Sequence, residues 1–305
     1  MFLVCGEALF DMFEDSALAG NDVQYVARPG GSPYNVAIGI SRLGGKSALL
    51  AAISTDQFGN RLERGLQAEG VDCNYLVRTE SLTTLSVVGL NENGEPSYSI
   101  YGTSARSLTS ADVSDIPSVI KGLHFGSYPI VVQPVADAFA MLLEREADRF
   151  ISFDPNVRLS VEPDVELWRR KVEQFRNKAD LIKVSDEDLE ALYPDMEPID
   201  IARSWLSGRT SLVILTQGAA NIVALGEWGE VRITPPKVTV VDTVGAGDTF
   251  HSALIAPFSN LDDPIDALRS LTREGALQMI ERASKAAAIN CMRRGFDAPY
   301  DHELT

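Results

Sequence analysis

Short apolar runs rich in β-branched residues alternate along the chain with longer segments whose apolar positions recur every three or four residues. Strand-like runs occupy residues 2–9, 47–54, 122–127, 149–154, 179–185 and 211–218. Helical patterns occupy residues 33–44, which end at a glycine, and residues 56–70. This alternation predicts an α/β fold with a mainly parallel central sheet.

Two regions depart from the alternation. Residues near 12–29 and 83–103 are rich in β-forming residues, and the second region contains the turn pair Asn93-Gly94. Such a pair between two strand-like runs predicts a hairpin. The two regions predict either a small accessory sheet that covers the strand ends or an edge hairpin of the main sheet.

A third feature lies near the C-terminal end, in the stretch VTVVDTVGAGDTFHSALI. The run KVTVV, residues 237–241, predicts a buried strand, and residues 249–256 predict a buried helix. Gly245, Ala246 and Gly247 permit a tight turn whose amide N–H groups point outward, a nest that attracts phosphate. Asp248 places a carboxylate beside that nest. It either caps the helix or takes a proton from a hydroxyl that attacks the phosphate.

Two other nucleotide-binding patterns do not fit the chain. The third glycine position of a dinucleotide fingerprint holds Phe250, which disfavours a nicotinamide-dependent oxidoreductase. The sequence contains no G-x-x-x-x-G-K-[ST] phosphate loop.

Charge and cysteine usage narrow the class of protein. The net charge of −16, from 27 basic and 43 acidic residues, argues against a nucleic acid or an anionic membrane as partner. Cys5, Cys73 and Cys291 lie far apart without metal-ligand spacing, and the N-terminus lacks the basic segment of a signal peptide. These features predict a cytoplasmic protein with free thiols.

Two segments together resemble a known family. RPGGSPYNVAIGISRLGG, residues 28–45, and DTVGAGDTFHSALI, residues 242–255, are similar to the two signature motifs of the ribokinase-like (PfkB) carbohydrate kinases. The resemblance covers nearly the whole chain. It implies one domain, residues 1–305, built as a three-layer α/β/α sandwich, with a β-sheet lid formed by segments at about 12–29 and 83–106.

The resemblance also implies a reaction, the ATP-dependent phosphorylation of a sugar or nucleoside hydroxyl. Asp248 is then the catalytic base rather than a helix cap. Gly245, Ala246 and Gly247 supply backbone donors for the charge on the transferred phosphoryl group.

Residues for the sugar follow from the same resemblance. Asp11 matches the acid that accepts hydrogen bonds from sugar hydroxyls, Gly30 and Gly31 allow close approach, and Asn35 binds another hydroxyl. Tyr101, in the predicted hairpin, is expected to close over the sugar.

The middle of the chain resembles fructokinases and 2-keto-3-deoxygluconate kinases most. FDPNVR, residues 153–158, carries Arg158, whose forked donors suit a phosphate or a substrate carboxylate. The favoured activity is phosphorylation of the 6-hydroxyl of D-fructose. The alternatives are a 2-keto-3-deoxygluconate kinase, another sugar or nucleoside kinase of the family, and a non-catalytic sugar-binding relative.

Nucleotide and metal contacts are implied in the C-terminal half. The candidates for ATP are Lys183, Ser185, Thr216, Gly218 and Asn290, together with Gly245 and Gly247 of the loop. Asp188 stands where the family positions Mg²⁺ through water, and Asp242 with the carbonyl of Val244 is a candidate site for K⁺. A homodimer joined through the lid sheet is expected as well.

Overall fold

The computed structural model describes residues 1–17, 22–90 and 96–304. The strands are β1 (Phe2–Cys5), β2 (Leu9–Ala17), β3 (Val23–Gly30), β4 (Ser47–Leu50), β5 (Ala52–Ser54), β6 (Val77–Thr79), β7 (Leu85–Leu90), β8 (Pro96–Tyr101), β9 (Gly122–Gly126), β10 (Phe150–Asp154), β11 (Leu181–Ser185), β12 (Leu212–Gln217), β13 (Asn221–Gly226) and β14 (Gly229–Ile233). The α-helices are α1 (Ser32–Arg42), α2 (Gln57–Ala68), α3 (Val135–Arg145), α4 (Val165–Arg176), α5 (Asp186–Leu192), α6 (Pro198–Trp205), α7 (Ala246–Ile255), α8 (Pro264–Arg269) and α9 (Arg273–Cys291).

The central sheet has eight strands in the order β14-β13-β12-β11-β10-β9-β1-β4. The six strands from β12 to β4 pair in parallel, whereas β13 and β14 are joined to that edge by antiparallel pairing. The predicted mainly parallel sheet is confirmed.

Helices cover both faces of this sheet. In β1, Leu3 and Cys5 belong to one hydrophobic core, and Phe2 and Val4 belong to the other, as the two-residue period of a strand requires. The first core contains residues of α3, α4, α5 and α6, and the second contains residues of α1, α2, α7, α8 and α9. This arrangement confirms the three-layer α/β/α sandwich.

The two β-rich regions form a sheet of their own. Its order is β3-β2-β7-β8, with β2 antiparallel to β3 and parallel to β7, and with β7 antiparallel to β8. The accessory sheet is therefore separate from the main sheet rather than an edge hairpin of it. The predicted turn at Asn93-Gly94 lies outside the described residues. A third, two-stranded sheet joins β5 to β6.

One strand prediction is wrong. Residues 237–241 are in no strand or helix and pair with no strand in the described part of the chain, and Val240 and Val241 are more than half exposed. Pro235 and Pro236 precede the run, and proline has no N–H to donate to a sheet. The β-branched side chains therefore lie on the surface, and only the Val241 amide is tied back, to the carbonyl of Cys291 at 2.8 Å.

Within the described ranges, none of the helices has both the length and the apolar character needed to cross a bilayer.

Candidate active site

Polar side chains gather at the carboxyl ends of the parallel strands. Glu7 follows β1, Asp154 ends β10, Ser185 ends β11 and Thr216 lies near the end of β12. In open α/β sheets this edge forms the crevice that binds ligands.

The glycine loop before α7 is built to leave amide groups free. Gly245 is the N-cap residue, with φ of 73°, and no side chain among the described residues caps the helix. A Cβ on Gly245 would lie 2.7 Å from the ring of Phe296, so both the backbone conformation and the available space favour glycine. The Ala246 amide donates to the carbonyl of Thr243 at 3.2 Å. The next amides, those of Gly247 and Asp248, lie in the first turn of α7, where N–H donors remain available for an anion.

The carboxylate of Asp248 faces α1 instead of the end of its own helix. Its Oδ1 accepts a hydrogen bond from the Ser32 hydroxyl at 2.6 Å, and its Oδ2 accepts one from the Asn35 amide at 2.8 Å. Because Gly245 occupies the cap position and Asp248 lies in the first turn, Asp248 does not cap the helix. The carboxylate is instead fixed in place at the head of two helices.

Close packing of α1 on α7 sets this geometry. A Cβ on Gly39 of α1 would collide with the side chain of Ser252 of α7. The Ser252 hydroxyl is shared between the carbonyl of Asp248, at 2.6 Å, and that of Val36, at 3.3 Å. The small residues bring the two backbones together, so that Asn35 can reach Asp248.

Two more acids lie near Asp248, the buried Glu7 and the half-buried Asp11, and both have raised pKa values. Burial raises the pKa of Glu7 to about 7; the charge of Asp248 adds to the rise, and donors from Ser127 and Ser32 oppose it. Burial likewise raises the pKa of Asp11 to about 6; the Ser86 hydroxyl opposes the rise, and Asp248 adds to it. The site therefore concentrates negative charge on the side of α1 and β2.

A buried cation faces this charge from β11. Lys183 Nζ lies 2.9 Å from Asp154 Oδ2, and both side chains are almost fully buried. Burial alone would lower the pKa of Lys183, but Asp154, Asp188 and Asp248 raise it, so Lys183 carries its positive charge. Its Nζ lies 3.4 Å from the position of a Cβ on Gly247 and therefore adjoins the glycine loop.

This constellation is a carboxylate at the start of a helix, free amides beside it and a lysine against the amides. The sequence profile described as "pfkB family carbohydrate kinase" matches residues 2–303. The chain belongs to the pfkB family of carbohydrate kinases.

Relatives of this carbohydrate kinase cover most of its length. It is 35% identical over 259 residues to a fructokinase of Rhizobium leguminosarum bv. trifolii, a match that spans 84% of this chain and 79% of the relative. A fructokinase of Xylella fastidiosa with bound ATP superposes with a TM-score of 0.90 at 25% identity, over 99% of this chain and 96% of that one. A fructokinase double mutant of Vibrio cholerae O395, with fructose, ADP and potassium ion bound, gives a TM-score of 0.84 at 25% identity, over 99% and 96%.

Most residues predicted for the sugar side of the kinase come together. Gly30 pairs with Leu9 of β2, and a Cβ on Gly30 would collide with the carboxylate of Asp11 two residues further along that strand. Gly31, with φ of 100°, is the N-cap of α1, and Asn35 is buried in the first turn. The Oδ1 atom of Asn35 is buried without a hydrogen-bond partner among the described residues.

Tyr101 is not placed on the same face of the accessory sheet as Asp11. The register aligns Asp11 with Ser86 and Ile100, whereas Tyr101 aligns with Leu85 and Phe10. Adjacent residues of a strand point to opposite faces. Tyr101 is therefore on the opposite face, where its side chain is 60% exposed. The expectation that Tyr101 closes over the sugar stays a prediction.

Arg158 is exposed and lies at the sugar end of the site. Its guanidinium donates to the carbonyl of Val157 at 2.9 Å, and its positive charge lowers the pKa of Asp11, against the larger effect of burial. Arg158 thus lies close enough to Asp11 for its charge to act on that carboxyl group.

Asp188 and Ser185 form the start of α5, and the role of Asp188 in positioning Mg²⁺ through water stays a prediction. They make a capping box, in which Ser185 Oγ accepts from the Asp188 amide at 3.0 Å and Asp188 Oδ2 accepts from the Ser185 amide at 3.4 Å. Asp188 Oδ2 also accepts from the Ser185 hydroxyl at 2.6 Å, and Asp188 Oδ1 accepts from the Val157 amide at 2.7 Å. Both oxygens of Asp188 are thus used by the chain. Among the described residues, no group of three or more His, Cys, Asp or Glu is arranged to hold a metal ion.

Thr216 and Gly218 lie at the end of β12, and Gly218 has φ of 50°. The Thr216 hydroxyl donates to the carbonyl of Val184 at 3.4 Å. Both residues are on the same strand-end edge as the glycine loop.

Asn290 has a different position from the one predicted. Its side chain is fully buried, its Nδ2 donates to the carbonyl of Val244 at 2.8 Å, and its Oδ1 accepts from the amide of Asp297 at 2.8 Å. A side chain with both ends engaged in the interior does not line an open adenine pocket, which corrects that prediction. Asn290 fixes the loop that leads to the catalytic turn.

Asp242 also holds this loop. Its Oδ1 accepts from the Val244 amide at 3.0 Å, and its Oδ2 accepts from the Gly295 amide at 2.8 Å. Carboxylate and carbonyl oxygens are the donors that a hard cation takes, so the pair of Asp242 and the Val244 carbonyl fits the predicted K⁺ site in its chemistry.

Sequence reasoning did not assign roles to three residues of the site, namely Glu7, Ser32 and Asp154. Ser32 and Asp154 lie inside stretches that resemble the family, whereas Glu7 does not. Ser32 begins α1, Asp154 ends β10, and Glu7 lies two residues after β1. A search for polar residues at strand ends would have found Glu7 and Asp154.

Proposed function

We propose that this carbohydrate kinase is an ATP-dependent fructokinase that phosphorylates the 6-hydroxyl of D-fructose. The observation that carries the proposal is the Asp248 carboxylate, held by Ser32 and Asn35 beside the uncapped amides of α7. Similarity to three fructokinases over most of the chain supports the choice of sugar.

Each part of the site then has a chemical task. Asp248 accepts the proton of the sugar hydroxyl as that hydroxyl attacks the γ-phosphate of MgATP. The amides of Gly245, Ala246 and Gly247 donate to the charge that develops on the transferred group, and Lys183 adds a positive charge beside them. Mg²⁺ enters with the nucleotide.

The sugar is bound on the other side of Asp248. Asp11 and Asn35 present acceptors to sugar hydroxyls, and the unpaired Oδ1 of Asn35 is one such acceptor. A buried acceptor discriminates strongly, because a sugar without the matching hydroxyl leaves it unpaired.

Several finer features belong to the same proposal. The accessory sheet acts as a lid of this single domain and excludes water from the site. Asp242 and the Val244 carbonyl hold a monovalent cation, as the potassium-bound relative from Vibrio cholerae suggests. Two chains pair through the accessory sheet. The free thiols of Cys5, Cys73 and Cys291 fit a cytoplasmic location.

One observation favours a second substrate. The exposed guanidinium of Arg158 acts on Asp11 and is free to meet a carboxylate. 2-Keto-3-deoxygluconate carries such a group, whereas fructose does not. A 2-keto-3-deoxygluconate kinase is therefore the alternative.

The test is ADP release from MgATP with D-fructose, 2-keto-3-deoxygluconate, D-ribose, D-glucose or no sugar. We expect kcat/KM to be highest with D-fructose and to fall by orders of magnitude in Asp248→Asn, with sugar and ATP affinities kept. A maximum with 2-keto-3-deoxygluconate would replace the substrate and keep the mechanism. Near wild-type turnover in Asp248→Asn would refute the base, and sugar binding without any turnover would indicate a non-catalytic relative.

A further inference from the structure

Glu7 is a buried acid outside the set of residues used above. It follows β1 at the strand-end edge, and its side chain has almost no exposed surface. Its Oε1 accepts two hydrogen bonds, from the Ser32 amide at 3.0 Å and from the Ser127 hydroxyl at 3.0 Å. Its Oε2 is buried and has no hydrogen-bond partner among residues 1–17, 22–90 and 96–304.

The contacts of Glu7 lead directly to Asp248. The Ser32 amide donates a hydrogen bond to Glu7, and the Ser32 hydroxyl donates one to Asp248 Oδ1 at 2.6 Å. The Glu7 carbonyl also lies close to this turn, because a Cβ on Gly31 would come within 2.8 Å of it. The side chain of Glu7 therefore holds the start of α1, at a position where the two backbones are closely packed.

We propose that Glu7 is a positioning residue for phosphoryl transfer, which fixes the start of α1 so that Ser32 aims its hydroxyl at the catalytic carboxylate. The proposal rests on Asp248 being the base. Glu7 acts through Ser32, and through Asn35 one turn further along α1.

A purely structural role explains the position less well. A buried carboxyl group is costly unless its polar atoms are paired, and an apolar side chain of similar size would fill the space at lower cost. Glu7 leaves one oxygen unpaired and lies close enough to Asp248 for that charge to raise its pKa. The hydrogen bond from the Ser32 amide accounts for a carboxyl group at this position, because an apolar side chain cannot accept it.

The test is a double-mutant cycle between Glu7→Ala and Ser32→Ala, with kcat and KM measured for sugar and ATP. A misplaced catalytic group costs up to about 100-fold in rate, so we expect Glu7→Ala to lower kcat by about 10- to 100-fold. KM for ATP should change by less than about twofold, since Glu7 acts through Ser32 and Asn35 of α1. In the Ser32→Ala background, the additional loss from Glu7→Ala should shrink to less than about threefold, because coupled residues are not additive.

Two conservative variants show whether the length or the charge of the Glu7 side chain matters for turnover. Glu7→Gln keeps an acceptor at the same distance and should recover most of the turnover lost in Glu7→Ala. Glu7→Asp keeps the charge, but its shorter side chain does not span from β1 to Ser32, so it should lose turnover like Glu7→Ala. Where Glu7→Ala does not fold, Glu7→Asp takes its place in the cycle.

A matched control is Asp180→Asn. Asp180 is also a buried acid, but it lies before β11, at the amino ends of the strands, where it accepts from the Ile151 amide and pairs with Arg209. Its variant should lower the melting temperature while kcat stays within about twofold of wild type, since general destabilisation does not alter the folded site.

Three results would overturn the positioning role: turnover in Glu7→Ala within about threefold of wild type, an equal loss with and without Ser32, or a Glu7→Gln variant as impaired as Glu7→Ala. Failure of the proposed function is recognised separately with Asp248→Asn. If that variant is inactive and the Glu7 cycle is additive, only the positioning role is wrong. If Asp248→Asn is active, the base assignment itself is wrong.

Discussion

Removing the positive charge of Lys183 is expected to affect stability and catalysis by separate routes. In Lys183→Met, Asp154 loses its ion-pair partner in a site where the two side chains are only 6% and 4% exposed. Breaking a buried pair by removing one partner costs about 3–5 kcal/mol, because an uncompensated charge remains. The Oδ1 atom of Asp154 already has no partner in the described chain, so little is available to compensate.

The expected change in melting temperature follows from the size of the chain. At roughly 2.1 cal/mol/K for each residue, 305 residues give an unfolding entropy of roughly 0.64 kcal/mol/K. A loss of 3–5 kcal/mol then lowers the melting temperature by about 5–8 °C. Thermal unfolding of the ligand-free protein, followed by circular dichroism, measures this directly.

A second variant separates the two routes. Lys183→Met combined with Asp154→Asn removes both charges and should recover at least half of the lost melting temperature. Turnover should stay about 100- to 1000-fold below wild type in both variants, since neither restores a cation beside the amides of the glycine loop. A melting temperature within about 2 °C of wild type in Lys183→Met would refute the energetic reasoning, and intact turnover would refute the contact with phosphate.

Further predictions concern the glycine loop, the sugar site and pH. Gly245→Ala should lower the free energy of unfolding by about 1–2 kcal/mol, because alanine disfavours the left-handed conformation, and the contact with Phe296 should add to this loss. The variant should therefore have a lower kcat and a lower melting temperature than wild type. Wild-type values of both would contradict the prediction. Asp11→Asn should raise KM for the sugar about 10-fold or more and leave KM for ATP within about twofold, and steady-state kinetics with each substrate varied would show the opposite pattern if Asp11 served the nucleotide. The folded-state pKa of Glu7, about 7, lies above its usual 4.5, so the wild type loses stability as pH rises between these values. Glu7→Gln lacks that loss, so its melting temperature relative to wild type should increase from about pH 5 to about pH 8, and a constant difference would contradict the raised pKa.

The sequence predicts the main sheet well because its strands are buried on both faces and appear as continuous apolar runs. It fails at residues 237–241 for the same reason, since Val240 and Val241 give a strand signal although no neighbouring strand is there to pair with them. The prolines before the run are the signal that would have corrected it.

The site divides in a similar way. The role of Asp248 as base is inferred from the motif, and its orientation toward Ser32 and Asn35 is not visible in any local pattern. The face of the accessory sheet on which Tyr101 lies depends on the strand register, because a shift of one residue would move its side chain to the other face. Both hydrogen bonds of the Asn290 side chain are made to Val244 and Asp297, which come close to it only in the folded chain.

The hydrogen bonds between α1 and Asp248 span 213 and 216 residues of sequence. During synthesis, α1 and the strand β1 of the main sheet leave the ribosome long before α7 exists. Until α7 arrives, the face of α1 that carries Gly39 and Asn35 has no partner, and the carboxylate that those residues hold has not been made. Contacts of such large separation form late and slowly. Partly synthesised chains therefore lack the catalytic centre altogether, and its assembly coincides with completion of the fold.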